Sequence, residues 1–359
     1  MSRARRGDLV MTALTIDTPA RCRIAGTGAY LPGPPISNRE VVERLGATGP
    51  RGARDADAMD ALIFERLGVA NRHWVHAVGE PFRDDAPSTV DLGARALEQA
   101  LNDAALSSGA LGAIITSTST PARITGANAP AIAGRVGARC AAFDVRAGCT
   151  GGLLAFVQGC LFATSTRQPV AVVGADAFSL MIPPDAPLAA LALGDGAGAV
   201  VIVPHDRGGL RASTFDADGS IDAMGGGAPF PCTHDRIDAG AYWLRAAPEA
   251  FLEQGTLRCA DAASTAMESA TIGVEDIACF IPQQSSRPAI ERMSAALGVA
   301  HDCTFDGVAD HGNCGAAGLF LALHHRRPLF RADEHLLLGA VGGGLTWGAA
   351  IYSVGGIHV

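Results

Sequence analysis

Residues 144–156 read DVRAGCTGGLLAF and place a cysteine between a predicted strand and a predicted helix. The strand ends at Val145, and the glycines that follow allow a sharp turn before a helix that begins at Cys149. Free N–H groups and the positive dipole end at a helix start favour thiolate over thiol, and a thiolate is the nucleophile that accepts an acyl group. A buried structural cysteine is the alternative, and this segment alone does not decide between the two.

Strand-like and helical patterns alternate on both sides of this segment. Predicted strands cover residues 113–117, 142–145, 170–174 and 199–203, and predicted helices cover 91–105 and 151–166. A polar, glycine-rich stretch from 205 to about 233 separates them from a second set, with helices at 241–271, 288–297 and up to about 323, and strands at 278–282, 335–340 and 349–354. This alternation predicts a layered α/β fold. We expect a disordered N-terminal extension over residues 1–20, a first half over 21–204 that carries the cysteine, and a second half over 205–359.

Three further segments carry polar or glycine-rich groups next to predicted strands or helices. They are residues 281–287 (IPQQSSR), 310–316 (DHGNCGA) and 342–344 within AVGGGLTWGAA. Polar groups at a strand end face a crevice in open α/β sheets, and a glycine backbone can bring an N–H group close to a ligand. Each segment also fits an ordinary turn.

The composition excludes several classes of function. The chain has 359 residues, a net charge of −8 and no basic stripe, which argues against a nucleic-acid partner. No apolar run reaches the ~20 residues that a membrane-spanning helix needs, and no apolar segment follows the basic N-terminus as in a signal peptide. The nine cysteines have no metal-binding spacing. We therefore expect a cytoplasmic protein without membrane, metal or nucleotide cofactor.

In their order along the chain, these segments resemble the β-ketoacyl-acyl-carrier-protein synthase III branch of the thiolase-like superfamily. The matching motifs are IAGTGAYLP from Ile24, Asn38, RLGVANR from Arg66, AFDVRAGCTGG, LGDGAGAV from Leu193, ADGS from Ala217, HGNCGAAG from His311 and GGGLTWGAA from Gly342. The resemblance implies the thiolase-like fold, with two similar α/β halves in a layered αβαβα arrangement. It also implies an enzyme that forms an acyl-cysteine intermediate.

The resemblance assigns the site residues. Cys149 matches the family nucleophile and Asn313 the family asparagine, and the backbone N–H groups of Cys149 and Gly343 match the oxyanion hole. The family histidine normally stands in a Pro-His-Gln motif, but Gln283 follows Pro282 here. His311 also stands in the family motif, so we expect it to be structural.

The resemblance gives less support to the standard coenzyme A binding site of the family. Arg66 is kept, but a family tryptophan is replaced near Leu62, and the family arginine falls near Pro288 with Arg287 beside it. Arg66 and Arg287 are therefore the expected substrate-binding cations. Thr125 belongs to a segment, residues 120–128, that resembles the stretch reaching into the partner's acyl pocket. A homodimer is implied by the same resemblance.

Gln283 leaves three hypotheses for the function. Glutamine donates and accepts hydrogen bonds but cannot titrate, so an alcohol acceptor would lose most without a base and a neutral amine least. The first hypothesis is an acyltransferase of polyketide-type specialised metabolism. It loads Cys149 from a carrier-protein or coenzyme A thioester and transfers the acyl group to an amine, hydroxyl or thiol. The second is a synthase that condenses by decarboxylation, since amides can still stabilise an enolate. The third, which the intact Cys149 disfavours, is a non-catalytic partner subunit.

Overall fold

The structure is a computed structural model that describes residues 13–45, 56–221, 224–225, 231, 233–246, 249 and 251–355. The strands are β1 (Leu14–Ile16), β2 (Cys22–Tyr30), β3 (Ile36–Ser37), β4 (Asn71–Arg72), β5 (Ala113–Ser117), β6 (Ala141–Val145), β7 (Val170–Asp176), β8 (Gly196–Pro204), β9 (Gly209–Ala217), β10 (Met224–Gly225), β11 (Arg245–Ala246), β12 (Ile277–Ile281), β13 (His335–Gly342) and β14 (Thr346–Ser353). The α-helices are α1 (Asn38–Leu45), α2 (Ala56–Leu67), α3 (Thr89–Asp103), α4 (Asn128–Val136), α5 (Thr150–Thr166), α6 (Pro187–Ala192), α7 (His234–Asp238), α8 (Thr256–Ala270), α9 (Arg287–Leu297), α10 (Val308–His311) and α11 (Gly318–Arg326).

Two five-stranded sheets form the frame of the described chain. The first has the order β2-β8-β7-β5-β6 and the second the order β1-β9-β14-β13-β12. Strand β5 is parallel to both β6 and β7, with Ser117 opposite Val145 on one side and Gly174 on the other. The carboxyl ends of these three strands therefore meet at one edge, where open α/β sheets place their functional groups.

Helices cover both faces of each sheet. Helices α5 and α11 lie between the two sheets, α3 and α4 cover the outer face of the first sheet, and α8 covers the outer face of the second. Helix α5 is apolar on all sides, as a helix buried between two sheets must be, and its Phe156 packs edge-on against Tyr352 of β14 at 5.5 Å. The expected layered α/β fold is confirmed.

The sequence patterns locate most of these elements and miss a few. The predicted strand over residues 113–117 coincides with β5. The predicted helix over 151–166 matches α5 except for Thr150, the first residue of α5. In place of the predicted helix over 241–271, the structure has the shorter α8, because a strand and a π-helical turn occupy the residues before it. The glycine-rich stretch after Pro204 contains β9, a strand that was not predicted. None of the described helices is long and apolar enough to cross a bilayer.

The expectation of a disordered extension over residues 1–20 needs correction. Residues 1–12 lie outside the described ranges, but Leu14–Ile16 form β1, which pairs with Phe215, Thr214 and Ser213 of β9. The chain therefore begins its described part in the second sheet and crosses to the first at β2. Pairing with an edge strand satisfies backbone groups that a short isolated segment would leave to water, and this stabilises an otherwise weak strand.

Candidate active site

Cys149 lies immediately before α5 with helical backbone angles. The turn that places it there depends on Gly148, whose φ of +55° lies in the left-handed region. A Cβ atom at Gly148 would also come within 2.6 Å of the backbone nitrogen of Gly343. Glycine at this position therefore allows both the turn and the close approach of a second backbone segment.

The loop after β13 packs its backbone against the start of α5. A Cβ atom at Gly342 would lie 2.8 Å from the backbone nitrogens of both Cys149 and Thr150, so only a glycine fits here. Two side-chain bonds hold the loop in place, from Thr346 Oγ1 to Ala147 O at 3.0 Å and from Thr150 Oγ1 to Thr346 O at 3.2 Å. The amides of Cys149 and Gly343, far apart in sequence, thus lie side by side, as two oxyanion-hole donors would need to do.

Two amide side chains meet at Gly315 on the turn before α11. Oδ1 of Asn313 accepts a hydrogen bond from the Gly315 nitrogen at 2.9 Å, and Nε2 of Gln283 donates to the Gly315 oxygen at 3.1 Å. A carbonyl oxygen only accepts, so the amide orientation of Gln283 follows from its partner. Within the described part of the chain, Gln283 Oε1 and Asn313 Nδ2 have no hydrogen-bond partner.

Close backbone contacts bring this turn against the helix that carries Cys149. A Cβ atom at Gly152 would meet the Ala316 oxygen at 2.6 Å, and one at Gly174 of β7 would collide with the same oxygen. The side chains of Cys149, Gln283 and Asn313 are 2, 4 and 6 % exposed. The structure therefore gathers the predicted nucleophile, both amides and the Gly343 loop into one nearly water-free region.

The expected thiolate at Cys149 is wrong for this structure. Burial and, to a smaller extent, the negative charge of Asp176 raise the pKa of the Cys149 thiol to about 12, against the lowering effect of a backbone hydrogen bond. Desolvation disfavours the charged form and so acts against the effect of the helix start. Cys149 rests as a neutral thiol at neutral pH.

This protonation state predicts how alkylation of Cys149 depends on pH. Because the pKa is raised to about 12, the thiolate fraction grows about tenfold for each pH unit from about pH 7 to pH 10. The iodoacetamide rate at Cys149, followed by peptide mass mapping, should rise with a slope near one and without a plateau. A plateau below about pH 8 would show that the helix start dominates after all.

The predicted substrate-binding residues lie on α2, on α9 and in the segment before α4. Arg66 is exposed in the last turn of α2. Arg287 begins α9, where its Nε bonds Asp306 Oδ2 at 2.8 Å and its guanidinium stacks 4.6 Å from the Phe64 ring centre. Both arginines therefore lie where α2 packs against α9. Thr125 is exposed in the bend between β5 and α4, and its role in a partner's pocket stays a prediction.

The structure supports the structural role expected of His311. Its side chain is buried, and its Nδ1 lies 2.9 Å from the Gly312 oxygen, to which it must donate. Burial lowers the pKa of His311, so the ring is neutral. The hydrogen bond to Gly312 and the burial are those of a side chain that stabilises its own turn.

Asp176 is the site residue that sequence reasoning missed. It ends β7, is fully buried, and bonds to the backbone nitrogens of Ser119 at 2.7 Å and Ala316 at 2.8 Å. The available signal was an acidic residue closing the otherwise apolar run VAVVGAD, since buried carboxylates need several donors. In the described ranges, no group of His, Cys, Asp and Glu side chains could hold a metal ion.

Comparisons with known proteins show which family the chain resembles. The family model of 3-oxoacyl-[acyl-carrier-protein] synthase III matches residues 143–219, and the model of its C-terminal region matches residues 267–354. Beta-ketoacyl-[acyl-carrier-protein] synthase III 3 of Streptomyces coelicolor is 30% identical over an alignment of 338 residues, and the alignment covers 91% of this chain and 95% of that protein.

Solved structures show the same fold. The crystal structure of 3-oxoacyl-(acyl carrier protein) synthase III from Pseudomonas aeruginosa PAO1 is 26% identical with a TM-score of 0.81, covering 94% of this chain and 100% of that one. The priming β-ketosynthase of the R1128 polyketide pathway, at 24% identity and a TM-score of 0.82, covers 95% of this chain and 99% of its own and adds support for the fold alone. The chain therefore belongs to the 3-oxoacyl-[acyl-carrier-protein] synthase III family and has its thiolase-like α/β fold.

Proposed function

We propose that this chain is an acyltransferase that loads an acyl group from a carrier-protein or coenzyme A thioester onto Cys149 and transfers it to a nucleophile. The acceptor is an amine, hydroxyl or thiol of polyketide-type specialised metabolism, and a neutral amine suits the site best. The observation that carries the proposal is the non-titrating Gln283, held by Gly315 with its Oε1 open to accept a hydrogen bond. An open acceptor can orient an N–H or O–H group but cannot remove its proton.

Loading of Cys149 needs no separate base. The Cys149 sulfur forms a bond to the acyl carbon, the donor's C–S bond breaks, and the thiol proton passes to the departing thiolate. The neutral resting thiol of Cys149 supplies that proton. The adjacent amides of Cys149 and Gly343 would stabilise the oxyanion that develops on the acyl oxygen, and their close backbone approach supports this role.

Transfer of the acyl group to an amine also needs no titrating residue to move its proton. The amine nitrogen bonds to the acyl carbon, the C–S bond to Cys149 breaks, and the proton on nitrogen moves to the sulfur. The Cys149 thiolate that is expelled binds this proton readily, because the pKa of its conjugate thiol is raised, so the site returns to its starting state. An alcohol carries no comparably nucleophilic lone pair, so it reacts slowly unless a base removes its proton. A general base is worth about 10²–10⁴ in rate, and Gln283 cannot act as one.

Decarboxylative condensation is the second candidate. The name of the Streptomyces coelicolor relative, a beta-ketoacyl synthase, favours it. The unpartnered Nδ2 of Asn313 is a donor that an enolate oxygen could use. Gln283 has one further N–H group on Nε2, but that atom is already bonded to Gly315, so we place acyl transfer first.

One assay separates these functions. The protein is incubated with an acyl thioester, a malonyl thioester and a primary amine, and the amide, the β-keto product and carbon dioxide are measured together. We expect the amide to form faster than carbon dioxide is released. Gln283→His should raise carbon dioxide release on the order of 10²-fold, because it restores a titrating donor at the family position.

The control variant is Gln283→Met, which keeps the side-chain length but removes the acceptor. It should lower amide formation without gaining decarboxylation. Faster formation of the β-keto product than of the amide by the wild-type protein would make the chain a condensing synthase. Absence of both products and of any acyl adduct would favour the non-catalytic subunit.

A further inference from the structure

Asp176 binds an unusual number of donors for one carboxylate. Its Oδ1 accepts from the hydroxyls of Thr118 and Thr120 and from the backbone nitrogens of Ser119 and Thr120, at 2.7–3.1 Å. Its Oδ2 accepts from the Ala316 nitrogen at 2.8 Å. No cationic side chain in the described ranges forms an ion pair with it. The buried charge is therefore held by neutral donors only.

These bonds join three segments around the start of α5. Residues 118–120 follow β5, Asp176 ends β7, and Ala316 belongs to the turn that carries Asn313. Ala316 packs on Gly152 in the first turn of α5, and the buried Ser117 packs on Gly151. A change at Asp176 would consequently shift the backbone segments that pack around the start of α5.

We propose that Asp176 is a positioning residue of this site, whose carboxylate fixes the Ala316 turn and residues 118–120 against α5 and places a negative charge beside the sulfur that carries the acyl group. This inference rests on the proposed function, in which Cys149 carries the acyl group. A negative charge beside the sulfur disfavours expulsion of a thiolate, so a weak nucleophile such as water releases the acyl group slowly. An amine is the stronger nucleophile, and its N–H proton moves to the sulfur as the C–S bond breaks.

The ionisable groups near Asp176 come from several elements. Burial raises the pKa of Asp176 to about 6 against the lowering effect of its hydrogen bonds. The charge of Asp176 contributes to the raised pKa of Cys149 at the start of α5 and of Cys314 before α11. Burial raises the pKa of Asp195, which precedes β8, to about 7, and the charge of Asp176 adds to that. His311, next to Cys314, is neutral.

The test measures how fast iodoacetamide alkylates Cys149 as a function of pH in wild type and in Asp176→Asn. Removing the charge should shift the profile to lower pH and raise the rate at pH 8 roughly tenfold, the effect of one pKa unit. The lifetime of the acyl-enzyme in the absence of acceptor should fall in parallel. Asp144→Asn is the matched control, because Asp144 is likewise bonded to neutral donors, on Asn128 and Ala129, but is not a charge that acts on Cys149.

A wild-type measurement covers the case in which Asp176→Asn does not fold. Because the pKa of Asp176 is raised to about 6, the logarithm of the alkylation rate should rise less steeply around pH 6 than above pH 7. An even slope of one from pH 5 to pH 9, or an unchanged profile in a folded Asp176→Asn protein, would overturn the inference. Alkylation does not depend on acyl transfer, so failure of the proposed function would be seen separately, as absence of acyl loading.

Discussion

Replacing Cys149 with alanine should abolish the acyl adduct and lower the rate of acyl transfer by at least about 10³-fold, since loss of a covalent nucleophile removes the whole two-step route. Intact mass after incubation with an acyl thioester measures the adduct, and product formation measures transfer. The structure supports a large effect, because Cys149 lies beside the Gly343 amide and near both amide side chains.

The control for this variant is Cys140→Ala. Cys140 is a partly exposed cysteine that lies just before the edge strand β6. The Cys140→Ala variant should form the acyl adduct at the wild-type level. An adduct that persists in Cys149→Ala and disappears in Cys140→Ala would place the nucleophile elsewhere and refute the assignment of the site.

Replacing Gly148 with alanine should lower the rate of acyl loading about 10²-fold while the protein stays folded. The new Cβ would lie 2.6 Å from the Gly343 nitrogen and would push that amide away from Cys149. Loss of one oxyanion-hole donor costs about 10²–10³ in rate. A positive φ at a residue other than glycine adds strain of about 1–3 kcal/mol. Single-turnover loading followed by mass spectrometry measures the rate, and thermal unfolding measures the strain.

Gly298→Ala provides the matched control. Gly298 has a φ of +70°, but nothing lies within 4 Å of where its Cβ would be. This variant should therefore lower thermal stability by a similar amount and leave acyl loading unchanged. Wild-type loading by Gly148→Ala would show that the Gly343 amide takes no part in stabilising the oxyanion.

The elements around the site were largely predictable because they depend on local sequence. The apolar strand β5 and the buried helix α5 follow from residues close together in the chain. Strand β9 was not predicted, because its run, GLRASTFDA, mixes polar and small residues and is held by pairing with β14 and β1. Packing that depends on distant partners leaves little local signal.

Resemblance to a family located Cys149, Gln283, Asn313 and Gly343, and the structure brings these residues into one region. Their catalytic roles stay predictions that the experiments above test. Arg66, Arg287 and Thr125 lie at exposed or separately paired positions, and their roles in substrate binding stay predictions. Motif matching assigns a residue to a position, whereas the partners of its side chain depend on the whole fold.

The sequence by itself determined the layered α/β architecture and the turn that places Cys149 at a helix start, because periodicity and glycine positions act over a few residues. Only the tertiary structure decided that Cys149 is a neutral thiol and that Gln283 is bonded to Gly315. Both results arise from groups that are distant in the chain: the residues that bury Cys149, with a smaller effect from the Asp176 carboxylate, and the turn before α11. Desolvation and charge depend on which atoms surround a group in space, and no short stretch of sequence contains that information.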